Sequence, residues 1–196
     1  MSDEQAFFPP GKSVNANIEI KARLHSIDSA RRVAAELATA RIADEHQVDT
    51  YFVCQTGRLK LREINGESAQ LIWYLRTDQA EAKPSRYLLA PVAPVQPLKL
   101  ALSEALRVRV VVDKQREIYL VHNVRIHLDT VRHLGSFLEL EAVQHAGSNW
   151  SEGYRDVAQL SDRLQVKNDD LCPASYGDLL LAAQSQGLDA GARPTE

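Results

Sequence analysis

Residues 17–24 read NIEIKARL. In an extended chain Asn17, Glu19, Lys21 and Arg23 fall on one side, and Ile18, Ile20, Ala22 and Leu24 on the other. Such period-two alternation predicts a strand with one face in an apolar core. A charged face turned to water is the common reason for the pattern. The alternative needs several strands of the same kind, with their charged faces turned toward one another.

The chain has 196 residues, 44% of them hydrophobic and 25% charged, as in an ordinary globular protein of one domain or two small ones. A net charge of -3 gives no overall attraction to nucleic acid or to an acidic membrane, so neither is expected as a partner and any anion site must be local. The N-terminal MSDEQAFFPPGK has neither the basic nor the apolar region of a signal peptide. No apolar run approaches the roughly 20 residues that span a bilayer. Cys54 and Cys172 are not in CxxC spacing, which predicts free thiols in a reducing, cytoplasmic setting. Residues 1–15 read as a flexible N-terminal arm, 16–184 as the folded domain and 185–196 as a flexible C-terminal tail.

Within the domain, residues 26–41 carry a helical stripe at Ala30, Val33, Ala34 and Leu37, with Ser26 or Asp28 as its cap. Residues 48–53, VDTYFV, read as a strand. GRLKLREI (57–64) and AQLIWYLR (69–76) flank Asn65-Gly66, the residues of a tight hairpin turn. A polar loop, 77–85, precedes the strand RYLLAPV (86–92), and a helix covers 96–106 with Pro97 in its first turn. Four strand-like runs follow, at 107–114, 116–121, 124–131 and 136–143, joined by Gln115, His122-Asn123 and His133-Leu134-Gly135. Such short connectors predict an antiparallel meander. Helices are expected at 150–166 and 175–184. About eight alternating strands with helices between them make an α+β fold on a curved antiparallel sheet or a closed barrel.

Parity groups the charges. Arg58, Lys60 and Arg62 share a face; so do Lys114 and Arg116; so do Arg125, His127 and Asp129; so do Glu139 and Glu141 with Phe137. Arg76 ends one strand and Arg86 opens the next. Turned into a dry, empty lumen, each uncompensated ion would cost several kcal/mol. A water-filled tunnel for a polyanion and a divalent metal removes that difficulty. Arginine and lysine bind phosphate oxygens, and paired carboxylates offer the hard oxygens that Mg²⁺ or Mn²⁺ takes. Parity alone leaves inside and outside open, because a barrel with its charges outward alternates identically. His127 and His133 read as ordinary hydrogen-bonding histidines. No HExxH, GxxxxGK[ST] or GxGxxG occurs, and no Ser-His-Asp or Cys-His set is apparent.

NIEIKARL resembles the ExExK signature of the CYTH family, the triphosphate tunnel metalloenzymes, named for class IV adenylyl cyclase and thiamine triphosphatase. Further segments are similar in the family's order: VDTYF, GRLKLRE, LIWYLRTDQAEAKPSRY, VVDKQREIYLVHNVRIHLDTVRHLGSFLELE and SYGDLL, over residues 17–182. The resemblance implies an eight-stranded antiparallel barrel, a tunnel, with helices packed outside. It implies phosphate binding by Lys21, Lys60, Arg62, Arg76, Arg86, Lys114 and Arg116. It implies metal binding, of Mg²⁺ or Mn²⁺, by Glu19, Asp129, Glu139 and Glu141, and catalytic roles for Glu19, Lys21 and Asp129. Two positions depart from the family pattern. Asn17 stands where the first Glu of ExExK is expected, and Arg86 is followed by Tyr87-Leu88 where many members have an acidic residue.

The activity implied is metal-dependent hydrolysis of the terminal phosphate of inorganic triphosphate, ATP or thiamine triphosphate. The alternatives are a class IV adenylyl cyclase forming cyclic AMP and pyrophosphate from ATP, and an inactive polyphosphate- or nucleotide-binding module, for which Asn17 is the main support. A homodimer is left open.

Overall fold

In the computed structural model, which describes residues 15–145 and 147–187, the alternating runs are strands that close into a ring. The strands are β1 (Asn15–Arg23), β2 (Ala40–Phe52), β3 (Arg58–Ile64), β4 (Ser68–Arg76), β5 (Lys83–Val92), β6 (Val108–Val121), β7 (Val124–Val131) and β8 (Gly135–Gln144). They form a closed antiparallel barrel in the order β1-β5-β4-β3-β2-β6-β7-β8. The helices are α1 (Ile27–Leu37), α2 (Val95–Leu106), α3 (Trp150–Arg163) and α4 (Tyr176–Ser185). The eight-stranded tunnel with helices packed around it is therefore the observed fold. The proposed arm and tail fall almost wholly on residues 1–14 and 188–196, outside the described residues. No described helix is long and apolar enough to cross a membrane, and both cysteines are free thiols.

Local chemistry sets the element ends. Ser26 caps α1 by accepting from the Ser29 N–H, and Ser175 caps α4 by accepting from the Asp178 N–H. Asn65 and Gly66 both have positive φ, 54° and 71°, the conformation a two-residue hairpin requires.

Some boundaries differ from the sequence reading. The first helix ends at Leu37, and residues 40–47, expected as helix end and loop, extend β2. Pairing with β6 along nearly its whole length overrides the weak strand propensity of ADEHQ. Gln115 is not a connector; residues 108–121 are one strand. The loop at 77–85 is shorter than expected, because Lys83, Pro84 and Ser85 pair with β1. The third helix stops at Arg163 rather than 166. Only β6, β7 and β8 form the expected meander; β1 closes the ring between β5 and β8, and β2 joins β6.

Both faces of several strands are buried, for different reasons. The even-numbered residues of β1, β7 and β8 point outward beneath α1 and α3, and Ile18, Ile126, Leu128, Leu138 and Leu140 are fully buried there. Each such side chain stabilises the fold by about 1.5–3 kcal/mol. A Cβ on Gly153 of α3 would lie 2.7 Å from Ile18 Cδ1, so glycine lets the helix approach the barrel this closely. A second outer cluster, Phe52, Leu61 and Ala69, lies beneath α2. A third is inside: Tyr51, Val110, Val112, Val131 and Phe137 fill one end of the barrel beneath Tyr176 and Leu180 of α4.

Candidate active site

The inward faces of the strands surround a cavity of about 620 Å³, and the charged residues that parity had grouped line it. Glu19, Lys21, Lys60, Arg62, Arg76, Lys114, Arg116, Glu139 and Glu141 all border it. Its α4 end is filled by apolar side chains. There the Tyr176 ring meets Phe137 edge to face at 5.0 Å, and Lys21 Nζ lies 3.9 Å over its centroid. Arg58 and Arg109 tie α4 in place through Asp178, at 3.0 and 2.9 Å. The other end is a mouth bordered by Asn15, Ile42, Ile64, Tyr87, Leu89 and Arg125.

Two matching clamps form the basic walls. Arg62 donates from Nε and Nη2 to the two carboxylate oxygens of Asp49 at 2.7 and 2.8 Å, and Lys60 donates to Oδ2 at 2.8 Å. Arg116 donates in the same way to Asp129 at 2.6 and 2.5 Å, and Lys114 donates to Oδ2 at 3.2 Å. Tyr176 adds its hydroxyl to Asp129 Oδ2 at 2.8 Å. The sheet places these groups, since Asp49 is in register with Arg62, and Asp129 with Arg116. Burial alone would raise both aspartates, but Arg62 and Lys60 hold Asp49, and Arg116 and Lys114 hold Asp129, well below the usual carboxylate range. The lysines move the other way. Burial, then repulsion from Arg116, lowers Lys114 to about 7; burial, then Arg62, lowers Lys60 to about 8.

The remaining carboxylates sit nearer the mouth. Glu139 takes Lys21 at 3.2 Å and also Arg116, and Lys21 and Arg116 keep it ionised against the effect of burial. Glu19 accepts from Arg76 at 2.6 Å; burial raises its pKa, with Arg76 opposing and Glu141 and Glu139 adding to the rise. Glu141 accepts from Asn17 Nδ2 at 3.4 Å. His127 Nδ1 stands 3.7 Å from Glu141 and 3.9 Å from Glu139, and these three residues form a group able to hold a metal ion.

One expectation changes at the site, and two carboxylates are placed apart from the His127 group. Arg86 is exposed on the outer face, because its register partners Ala16 and Leu75 point outward while Ser85, beside Asn17 and Arg76, points in. Lys83, buried and in register with Glu19, donates its Nζ to the Gln79 carbonyl and does not border the cavity; burial and then Arg76 lower it to about 8. Asp129 is the anchor of a clamp and is not part of the carboxylate group around His127; Glu19 is likewise outside that group.

Asp49, His127 and Tyr176 were not picked out as site residues by sequence reasoning. For Asp49 a signal existed: Val48-Asp49-Thr50-Tyr51 echoes Leu128-Asp129-Thr130-Val131, as Lys60-Leu61-Arg62 echoes Lys114-Gln115-Arg116.

Comparison with known proteins agrees with this geometry. The sequence profile of the CYTH domain matches residues 15–176. Among curated proteins, none matches the chain. The PH1012 protein of Pyrococcus horikoshii OT3 is similar in structure, with a TM-score of 0.73 at 28% identity over 83% of this chain and 98% of its own. A candidate adenylate cyclase from Vibrio parahaemolyticus gives 0.70 at 18% identity over 84% of this chain and 97% of its own. An adenylyl cyclase candidate from Hippeastrum, described as having a dominant triphosphatase activity, gives 0.60 at 14% identity over 87% and 96%. At those identities the last two show a shared fold.

Proposed function

We propose that this chain, which belongs to the CYTH domain family, hydrolyses the terminal phosphate of a triphosphate held in its tunnel, with Mg²⁺ or Mn²⁺ at Glu139 and Glu141. The observation that carries the reading is the pair of buried Lys–Asp–Arg clamps with a carboxylate group beside them.

The clamps hold their donors ready without exhausting them. Each arginine uses Nε and Nη2 on its aspartate, so Nη1 stays outside the clamp and available to a phosphate oxygen. Each aspartate offsets part of the basic charge, so the barrel can fold with the tunnel free of anion. Lys21 and Arg76 flank the carboxylates and extend the basic track. Fixed donors of this kind orient a phosphate chain and stabilise charge that develops during phosphoryl transfer.

The donor set suits a divalent cation. Glu139 and Glu141 supply hard oxygens, and Nδ1 of His127, buried beside them, has no hydrogen-bond partner. When bound, the cation supplies Lewis-acid neutralisation of phosphate oxygens. The Hippeastrum protein's triphosphatase activity is a precedent for hydrolysis on this fold.

The test offers inorganic triphosphate, ATP and thiamine triphosphate with each cation and identifies the products. Orthophosphate supports hydrolysis. Cyclic AMP with pyrophosphate would replace it by cyclase chemistry. Tight binding with neither product would mark a binding module.

A further inference from the structure

We propose that the cation site is a mixed nitrogen–oxygen site, built by His127 and the Asn17 amide oxygen together with Glu139 and Glu141, and that it selects Mn²⁺ over Mg²⁺. This rests on the reading of the tunnel as cation-dependent.

Two buried polar atoms on residues beside the acidic pair make no hydrogen bond, although His127 Nδ1 stands within ion-pair distance of both glutamates. His127 is 4% exposed and its Nδ1 has no hydrogen-bond partner. Asn17 is also 4% exposed; its Nδ2 donates to Glu141, but its Oδ1 has no partner. Buried polar atoms are nearly always satisfied, so two unsatisfied ones beside the same carboxylates call for a ligand. The separations of His127 Nδ1, 3.7 Å from Glu141 and 3.9 Å from Glu139, fall within the roughly 4.2 Å that two bonds of about 2.1 Å can span. The strand ladder fixes the arrangement: His127 lies directly opposite Glu139 across β7 and β8, and β1 brings Asn17 to Glu141.

Glu139 is itself paired with Lys21 and Arg116, so engagement does not choose the ligands. It is Glu139 and Glu141 whose oxygens gather with a His127 ring nitrogen, while Asp129 and Glu19 lie outside that group.

Donor chemistry then decides the ion. Lys21 and Arg116 share Glu139, and position 17 carries an amide instead of a carboxylate. The site thus has little net negative charge to attract a hard ion. Mg²⁺ gives up water reluctantly and prefers an all-oxygen octahedron. First-row transition ions accept imidazole, and Mn²⁺ is the one among them best suited to carboxylate and carbonyl oxygens.

The experiment titrates the purified protein with Mn²⁺ by electron paramagnetic resonance, with Mg²⁺ as competitor and no triphosphate present. Wild type should prefer Mn²⁺ by at least about tenfold, and His127→Gln should lose about tenfold or more in Mn²⁺ affinity while Mg²⁺ affinity stays within about twofold. Glu141→Gln should weaken both ions. In ¹⁵N-histidine-labelled wild type, Mn²⁺ should broaden the ring signals of His127 first. An unchanged Mn²⁺ affinity in His127→Gln, an equal loss for both ions, or a His127 signal untouched by Mn²⁺ would overturn the proposal. The spectroscopic arm needs no variant, so a His127→Gln protein that fails to fold leaves the test intact. Because no triphosphate is present, the outcome is separate from whether the chain releases orthophosphate.

Discussion

Asp49→Asn isolates what one clamp is worth. Asp49 is almost fully buried and accepts three charged hydrogen bonds, two from Arg62 and one from Lys60. The amide keeps the shape and one acceptor but leaves two buried cations without a counter-charge. Removing one partner of a buried ion pair costs about 3–5 kcal/mol. For a domain of this size each kcal/mol moves the melting temperature by about 2–4 °C, so the expected drop is roughly 6–20 °C by differential scanning calorimetry. The drop should depend on pH with a fixed sign. Lys60 titrates near 8 in the fold and near 10.5 when free, so between those values the unfolded chain holds more protons and the lysine's contribution to stability rises with pH. At pH 9 Lys60 is largely neutral in wild type too, and only Arg62 feels the loss. At pH 6.5 both cations feel it, so the deficit is larger there. Inorganic triphosphate at a hundredfold excess over its Kd should recover about 2.7 kcal/mol. Asp113→Asn, at a half-exposed carboxylate paired with His46, serves as the control and should shift little. A drop below about 2 °C in Asp49→Asn, or an equal drop at the two pH values, would refute the reasoning.

Triphosphate binding at pH 8 should take up about one proton from buffer, because a bound polyanion raises Lys114 and Lys60 from about 7 and about 8; calorimetry in buffers of differing ionisation enthalpy reads this, and Lys114→Arg should remove part of it. Arg116→Ala should weaken inorganic triphosphate binding by about 1.5–3 kcal/mol, the worth of a charged hydrogen bond, and an unchanged affinity by titration calorimetry would count against its place in the phosphate track.

Parity carried most of the site. The inward placement of Glu19, Lys21, Lys60, Arg62, Lys114, Arg116, Glu139 and Glu141 follows from alternation once the barrel is closed. What parity could not supply was register. Which aspartate meets which arginine depends on pairing between β2 and β3 and between β6 and β7, and no short segment encodes that. Lys83 was hidden by Pro84, a residue that argues against a strand; the proline is tolerated here because the pairing with β4 ends at Ser85 and Pro84 pairs with β1 alone. Arg86 was assigned by the resemblance alone; alternation along its own strand, with Ser85 and Tyr87 bordering the cavity, turns it outward. Residues 40–47 look polar and irregular, and only the long ladder with β6 makes them extended. Tyr176 acts through a helix remote in sequence from every strand it touches.

The apolar cluster of Tyr176, Phe137 and their neighbours fills the α4 end of the barrel, which favours traffic through the opposite mouth. Traffic through one mouth is a queue: the first fragment in is the last one out. If the chain cleaves a bound triphosphate as proposed, the piece nearest the mouth stands between its partner and solvent. Departure would then be ordered, with the deeper piece leaving second. A fragment added from outside at high concentration would then block the exit as well as compete for the entrance. The kinetic fingerprint is product inhibition of different form for the two products, set by a helix that contributes only its tyrosine to the charged interior.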